Sequence, residues 1–194
     1  MRNTMLNSMR NNISCAVLGA ALLLNCGSVL AQNTHQDPYT QGTPGESKLV
    51  QQVRHELLML PYYTVFDDLG FRVQGSTVTL VGAVTRPTLK SDAENVVKRI
   101  EGVTQVINQI KVLPLSDFDW QIRRNMLRTI YGIPQIGDRY GNRALPPIHI
   151  IVDNGHVTLE GVVANQGDKD LIGIRANSVP NVFSVTNNLR VEQQ

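Results

Sequence analysis

The segments VTLVG at 78–82 and VTLEG at 157–161 lie 79 residues apart in the chain, and a second pair of related segments keeps that offset. The second pair reads GVTQVINQIKV at 102–112 and NVFSVTNNLRV at 181–191. Two related pairs in one register indicate a duplicated unit, because chance similarity does not preserve spacing. The sequence therefore predicts two similar small domains in tandem.

Each unit shows the apolar periodicity of a helix, a hairpin, a second helix and a last strand. In the first copy, apolar residues recur at intervals of three and four before Pro61 and again after Pro87, as in helices with one buried face. Two alternating segments flank Gly75-Ser76, as in a hairpin that buries one face. A final strand follows Gly102. The predicted fold class is α+β, with two tandem helix-strand-strand-helix-strand domains whose helices pack on one face of a three-stranded sheet.

The second hairpin has the clearer turn, Asn154-Gly155. A type I′ turn needs positive φ at both central residues, and this dipeptide favours it. The predicted register places Val152 opposite Val157 on the buried face. The other face is then mixed and is predicted to be solvated; it carries His149, Ile151, Asp153, His156, Thr158 and Glu160.

A metal site on that outer face is not expected. Asp153 would oppose His156, but His149 would oppose Glu160 almost a strand length away, so the four groups do not converge. Cross-strand polar pairs are the simpler interpretation.

The first 45 residues are predicted to lie outside both domains. Residues 1–31 have the composition of an export signal, with Arg2 and Arg10 before an apolar segment and a small residue, Ala31, at its end. A retained membrane anchor and lipoprotein processing at Cys26 are the alternatives. Residues 32–45 are polar, and this composition predicts a disordered tether. The domains are predicted to span 46–115 and 117–193, with an inserted loop at about 131–147 in the second.

The charge balance argues against a nucleic-acid partner. The full chain carries 18 Lys plus Arg and 16 Asp plus Glu, so removal of Arg2 and Arg10 leaves equal numbers and a formal charge of zero. Both cysteines, Cys15 and Cys26, fall in the predicted signal. The exported chain would then contain neither a thiol nor a disulfide, and would depend on packing alone.

Neither copy contains a recognisable catalytic motif. The G-x-S-x-G and H-E-x-x-H patterns do not occur, and the exported part has no cysteine nucleophile. Asp67-Asp68 are interpreted as solvated loop acids and not as a catalytic carboxylate pair. The sequence therefore predicts a non-enzymatic binding or interaction protein, without a cofactor or a small-molecule substrate.

The repeated unit resembles the BON domain. The resemblance rests on V-T-L-x-G at the hairpin and G-V-x-x-V-x-N-x-I near the end of the unit, and it covers about 46–115 and 117–193. The second copy departs from the pattern at Asn181, where the first has Gly102. The resemblance implies an exported protein of the periplasm or cell envelope, with a role in binding phospholipid or in envelope integrity under osmotic stress. It implies no catalytic residue.

The helix that opens the second copy has two apolar faces. Phe118, Ile122, Met126 and Ile130 form a predicted core stripe, whereas Trp120, Leu127 and Tyr131 lie on the opposite side. Arginines surround that second face and continue into the insert. The candidate lipid- or partner-binding residues are Trp120, Arg123, Arg124, Leu127, Arg128, Tyr131, Arg139 and Arg143.

Aromatic rings bordered by arginines suit the interface between lipid and water, where cations meet anionic phosphates. Over 119–143, five arginines against Asp119 and Asp138 give a local charge of +3. The leading hypothesis is peripheral binding to an anionic phospholipid surface. Two alternatives remain: a protein-interaction adaptor that uses the same face, and a face that only packs against the other copy.

Overall fold

The computed structural model of the protein describes residues 47–192; the predicted export signal, the tether and Cys26 lie outside them. The first copy contains α1 (Lys48–Leu58), β1 (Asp68–Gln74), β2 (Thr77–Val84), α2 (Pro87–Lys98), β3 (Gln105–Asn108) and β4 (Lys111–Val112). The second contains α3 (Asp117–Tyr131), α4 (Pro134–Ile136), a π-helical turn (Gly137–Gly141), β5 (Ile148–Asp153), β6 (His156–Val163), α5 (Gln166–Asn177), β7 (Ser184–Asn187) and β8 (Arg190–Val191). The predicted α+β tandem is confirmed.

The two sheets have the same topology. In each copy the first two strands form an antiparallel hairpin, and the last segment returns through a helix to run parallel to the second strand. The predicted last strand is broken into two short pieces, β3 with β4 and β7 with β8, and both pieces pair with the central strand. The predicted register is also confirmed, since Val73 faces Val78 and Val152 faces Val157.

Helix boundaries follow local chemistry. Ser47 caps α1 by accepting from the amide of Val50, and Ser116 caps α3 by accepting from Asp119. Pro87 occupies the first turn of α2, where its missing N–H costs nothing. The caps orient α1 and α3 so that one apolar stripe of each faces its own sheet.

Each copy has its own apolar core. Buried residues of α1, α2 and the first sheet form one cluster, and those of α3, α5 and the second sheet form the other. The predicted insert is not a free loop, because Ile136 and Tyr140 are buried in the second core. It ends in a segment whose Leu145 packs against the first core, just as Phe66 of the first copy packs against the second.

Within residues 47–192, no helix is both long and apolar enough to cross a membrane. The same part of the chain shows no group of three or more His, Cys, Asp or Glu side chains placed to hold a metal ion.

Candidate functional site

The core stripe of α3 is largely as predicted. Ile122, Met126 and Ile130 are buried against the second sheet. Phe118 differs, since it is 39% exposed and lies beside the ring of Phe183, with centroids 5.8 Å apart. It therefore belongs to the rim of the domain and not to its core.

The second apolar face of α3 is packed and not open to solvent. Trp120 is partly buried and meets Phe66 of the first copy edge to face, with ring centroids 5.7 Å apart. Leu127 and Tyr131 pack against the second core, and the Tyr131 hydroxyl donates to the carbonyl of Ile148 at 2.7 Å. Burial raises the pKa of Tyr131. Only Trp120 of this face therefore matches the interpretation in which the face packs against the other copy.

Arg123 was predicted to border an exposed surface, and the structure corrects that expectation. Its side chain is fully buried, and Nη2 donates to the carbonyl of Val152 at 2.7 Å. The guanidinium lies over the Trp120 ring at 5.2 Å. Nε and Nη1 form no hydrogen bond with any residue of 47–192. Burial lowers the pKa of Arg123, and the nearby Asp119, Asp67 and Asp153 oppose that shift.

The reason for this packing is the exposed edge of the second sheet. β5 is an outer strand, and its outward backbone groups need partners. Tyr131 binds the carbonyl of Ile148, Arg123 binds that of Val152, and the amide of Ile150 donates to the carbonyl of Val65 in the first copy at 2.7 Å. Polar groups on α3 and one loop of the first copy thus cover the edge together.

The remaining predicted arginines divide into two kinds. Arg139 pairs with Asp168, and Asp168 also accepts a hydrogen bond from the buried Tyr140 hydroxyl. These two contacts attach the insert to α5. Arg124, Arg128 and Arg143 are exposed. No ion pair or hydrogen bond joins these three side chains to another residue of the described range. They are the part of the predicted site that is accessible in this structure.

Asp67 and Asp68 are not the solvated loop acids that the sequence suggested, because both are buried. Asp67 Oδ1 accepts from the amide and hydroxyl of Thr85 at 2.6 and 2.8 Å. Its Oδ2 accepts from the amide and hydroxyl of Thr64 at 3.0 and 2.7 Å. Four donors explain why a carboxylate can occupy this position. The acid organises the loop before β1 and is committed to the fold.

The outer face of the second hairpin is also less solvated than predicted. His149 and Ile151 are buried. His149 Nδ1 lies 2.6 Å from the carbonyl of Asp67, and its ring stacks on Tyr63 at 5.8 Å. A carbonyl can only accept, so Nδ1 carries the proton. The first copy covers this part of the hairpin. The alternation of residues along one strand could not predict that contact.

Asp119 is a buried residue whose role sequence reasoning missed. Its two carboxylate oxygens accept from the amides of Asn154 and Gly155, at 3.0 and 2.8 Å. The signal was present, since an acid on the core side of a helix needs donors and the Asn-Gly turn of a hairpin supplies them. Asp119 thereby ties the start of α3 to the tip of the hairpin.

The repeated motif residues serve the fold. Gly82 and Gly161 have φ of 111° and 121°, and a Cβ at either would clash with the carbonyl oxygen of Asp68 or Pro147. Asn108 and Asn187 bridge the break in the last strand: each side chain accepts from an amide two residues later and donates to a helix carbonyl. The motif therefore identifies the architecture.

Apolar side chains are exposed at one end of the second copy. Phe183 is 69% exposed and Leu115 is 77% exposed, and the Phe183 ring contacts those of Phe118 and His156. Gly155 lies beneath the two phenylalanines, where a Cβ would come within 2.7 Å of Phe183. We call Phe118 and Phe183 the aromatic rim. It was not part of the predicted site.

The structure contains two copies of a small α+β unit in tandem, and the second copy carries the accessible arginine group and the aromatic rim. The model of the BON domain matches residues 46–114 and 138–193, more than half of the chain. The chain belongs to the BON domain family, and membership indicates an envelope-associated role.

Similarity to individual proteins is more distant. The C-terminal domain of CdsD, a structural protein of the Type III secretion system of Chlamydia trachomatis, is 12% identical over 77% of this chain and 100% of that chain, with a TM-score of 0.30. A second CdsD structure is 11% identical over 75% and 93% of the two chains, with a TM-score of 0.29. No curated protein matches the sequence.

Proposed function

We propose that this is a non-enzymatic protein of the cell envelope that binds anionic phospholipid peripherally and so supports envelope integrity or tolerance of osmotic stress. The observation that carries the proposal is the accessible arginine group, Arg124, Arg128 and Arg143. These three cations are exposed and unpaired within residues 47–192. Two of them lie four residues apart on α3, on the same side of the helix.

The expected affinity is modest. A basic residue near an anionic membrane surface contributes about 1 kcal/mol, so three arginines contribute about 3 kcal/mol. Because this attraction falls off within a Debye length, salt should weaken it strongly. Binding of this kind is reversible and suits a protein that moves between the membrane surface and solution.

Vesicle flotation tests the proposal. The exported chain, residues 32–194, should float with phosphatidylglycerol vesicles and not with phosphatidylcholine vesicles, and 0.5 M salt should release it, at a Debye length of about 4 Å. Arg124→Glu should reduce flotation severalfold. Arg99→Glu is the matched control, because Arg99 is an exposed arginine of the first copy and the charge change is the same. Equal recovery on both vesicle types, or equal losses in both variants, would contradict the proposal.

The aromatic rim favours a second function, a protein-interaction adaptor in the envelope. Aromatic side chains, phenylalanine among them, are enriched in protein interfaces relative to the rest of the surface. Crosslinking in the envelope followed by mass spectrometry should then return one dominant partner, lost in Phe183→Ala. Ile174→Ala is the control, since Ile174 is equally exposed, at 70%, but lies on α5. If both variants retain the same partner, the rim is not its docking site.

A further inference from the structure

The face of α3 that carries Trp120 and Arg123 has the composition of a membrane-contacting surface and is covered by a loop. Residues 62–67 of the first copy lie over it, through the Phe66 ring on Trp120 and the Asp67 carboxylate near Arg123. A connecting loop, and not a helix or strand of the first copy, forms this cover. This segment is anchored in the first copy by the buried Tyr63 and by the hydrogen bonds from Thr85 to Asp67, so it moves together with that copy.

Arg123 indicates that the covered state leaves bonding capacity unused. A guanidinium has five N–H donors in a planar fork that matches phosphate. Here the fully buried group makes one hydrogen bond, to Val152, while Nε and Nη1 have no partner within residues 47–192. Buried donors are normally satisfied, so an arginine in this condition is poised to bind an anion once the loop moves.

The contacts that hold the two copies together here are both apolar and polar; Phe66 packs against the second core, Leu145 packs against the first, and Tyr63 stacks on His149. They include the backbone bond from Ile150 to Val65, the His149 contact to the Asp67 carbonyl, and a surface ion pair between Lys111 and Asp153. Both members of the ion pair are partly exposed, so it contributes little. Such a joint can separate without unfolding either core, because each copy has its own apolar cluster.

We propose that residues 62–67 form a lid carried by the first copy, and that binding to an anionic phospholipid surface displaces the lid together with that copy, so that Trp120 and Arg123 join Arg124 and Arg128 in contact with lipid. This inference rests on the proposed function. In the closed state only the accessible arginine group meets the membrane. Because a ligand that binds the open state better shifts the equilibrium toward it, the membrane itself acts as the opening effector.

The single tryptophan of the chain makes the lid directly observable. Trp120 is the only Trp, so intrinsic fluorescence reports on this face alone. With phosphatidylglycerol vesicles that contain brominated acyl chains, bound protein should lose at least about half of its emission relative to unbrominated vesicles, because the ring sits at headgroup depth. Flotation without quenching would overturn the lid and leave the proposed function standing. Failure to float at all would remove both.

Phe66→Ala tests the lid from the other side. Loss of an aromatic pair should raise the open population and tighten vesicle binding about two- to tenfold. Tyr62→Ala is the matched control, since Tyr62 belongs to the same loop and is 70% exposed. It should leave binding unchanged. Unchanged or weaker binding by Phe66→Ala would overturn the inference.

The Lys111–Asp153 pair gives a second variant that does not depend on core packing. Lys111→Asp should open the joint and tighten binding about two- to fivefold, even though it makes the protein more negative. The swap Lys111→Asp with Asp153→Lys should restore the ion pair and the original binding. Bulk charge alone predicts that the single variant binds an anionic surface more weakly. Weaker binding by Lys111→Asp would therefore overturn the lid.

Discussion

The two hairpin tips of this protein have the same backbone bonds and different side chains. In the first copy the amide of Thr104 donates to the carbonyl of Ser76 at 2.9 Å; in the second, Phe183 donates to Gly155 at the same distance. The Thr104 hydroxyl bonds to the Ser76 hydroxyl, whereas the Phe183 ring covers Gly155. The duplication therefore preserves the scaffold, while the surface chemistry of the second copy has diverged.

The opening helices show the same division in the interior. Val50 of α1 and Asp119 of α3 precede the buried Val53 and Ile122 by three residues, and both are buried. One is an ordinary core side chain and the other binds two amides of the hairpin turn. A buried carboxylate at the place of a valine fixes the second hairpin to its helix by hydrogen bonds instead of by apolar packing.

The largest effect is expected at the shared glycines. Gly82→Ala and Gly161→Ala should each lower the free energy of unfolding by about 3–4 kcal/mol, because the positive φ is strained for alanine and the Cβ meets a backbone oxygen. Urea denaturation followed by circular dichroism measures both. Gly102→Ala is the control; its φ is 91° but nothing lies within 4 Å, so about 1–2 kcal/mol is expected. Strongly unequal effects at Gly82 and Gly161 would contradict a shared scaffold.

Asp119→Val makes the second copy resemble the first at this position and should lower the free energy of unfolding by about 2–3 kcal/mol. The part-buried amide of Asn154 and the buried amide of Gly155 lose their acceptor, and Arg123 loses the favourable charge of Asp119. Asp117→Val is the control, because Asp117 is exposed in the same turn of α3. It should cost less than about 1 kcal/mol. A neutral Asp119→Val would show that the hairpin does not depend on these bonds.

Some features of the fold and of the candidate site could be predicted from the sequence, and others could not. The repeat, the apolar periodicity and the Asn-Gly turn predicted the elements, the register and the core stripe of α3, since each depends on residues close in the chain. The contact of Trp120 with the other copy agrees with one of the alternatives that the sequence left open. The covering of Arg123 and His149 could not be predicted, because the loop that covers them lies in the other copy. Arg123 looks like a surface cation in a helical projection. Its burial follows from the exposed edge of β5, which only the tertiary structure reveals.

The aromatic rim should make the two turns respond differently to the same change. Gly75→Ala should cost about 1 kcal/mol, from its positive φ alone, since nothing lies within 4 Å. Gly155→Ala should cost about 2 kcal/mol, because its Cβ must also displace Phe183. In a Phe183→Ala background the cost at Gly155 should fall to about 1 kcal/mol, as a double-mutant cycle would measure. Additive effects would show that the ring moves aside freely.

The smallest effect on stability is expected at Glu94, which bonds to the motif asparagine of the first copy. Asn108 donates to Glu94 at 3.0 Å, whereas the equivalent Asn187 lies against Gly173, which has no side chain to accept. The Lys98 and Asn108 hydrogen bonds lower the pKa of Glu94 from its ordinary 4.5. A lowered folded-state pKa stabilises the protein above the unfolded value, and that contribution disappears as pH falls through the folded-state pKa.

Glu94→Ala should therefore destabilise the protein slightly at neutral pH and less at about pH 3, because the contribution of the ionised carboxylate is lost as pH falls through its folded-state pKa. Urea denaturation of both proteins at the two pH values measures the difference. Glu56→Ala is the control, because Glu56 makes neither the Lys98 nor the Asn108 hydrogen bond. Since the second copy lacks a carboxylate at this place, a pH-dependent loss in Glu94→Ala would assign the effect to the first copy alone. An equal loss at both pH values would mean that Glu94 acts through packing and not through its charge.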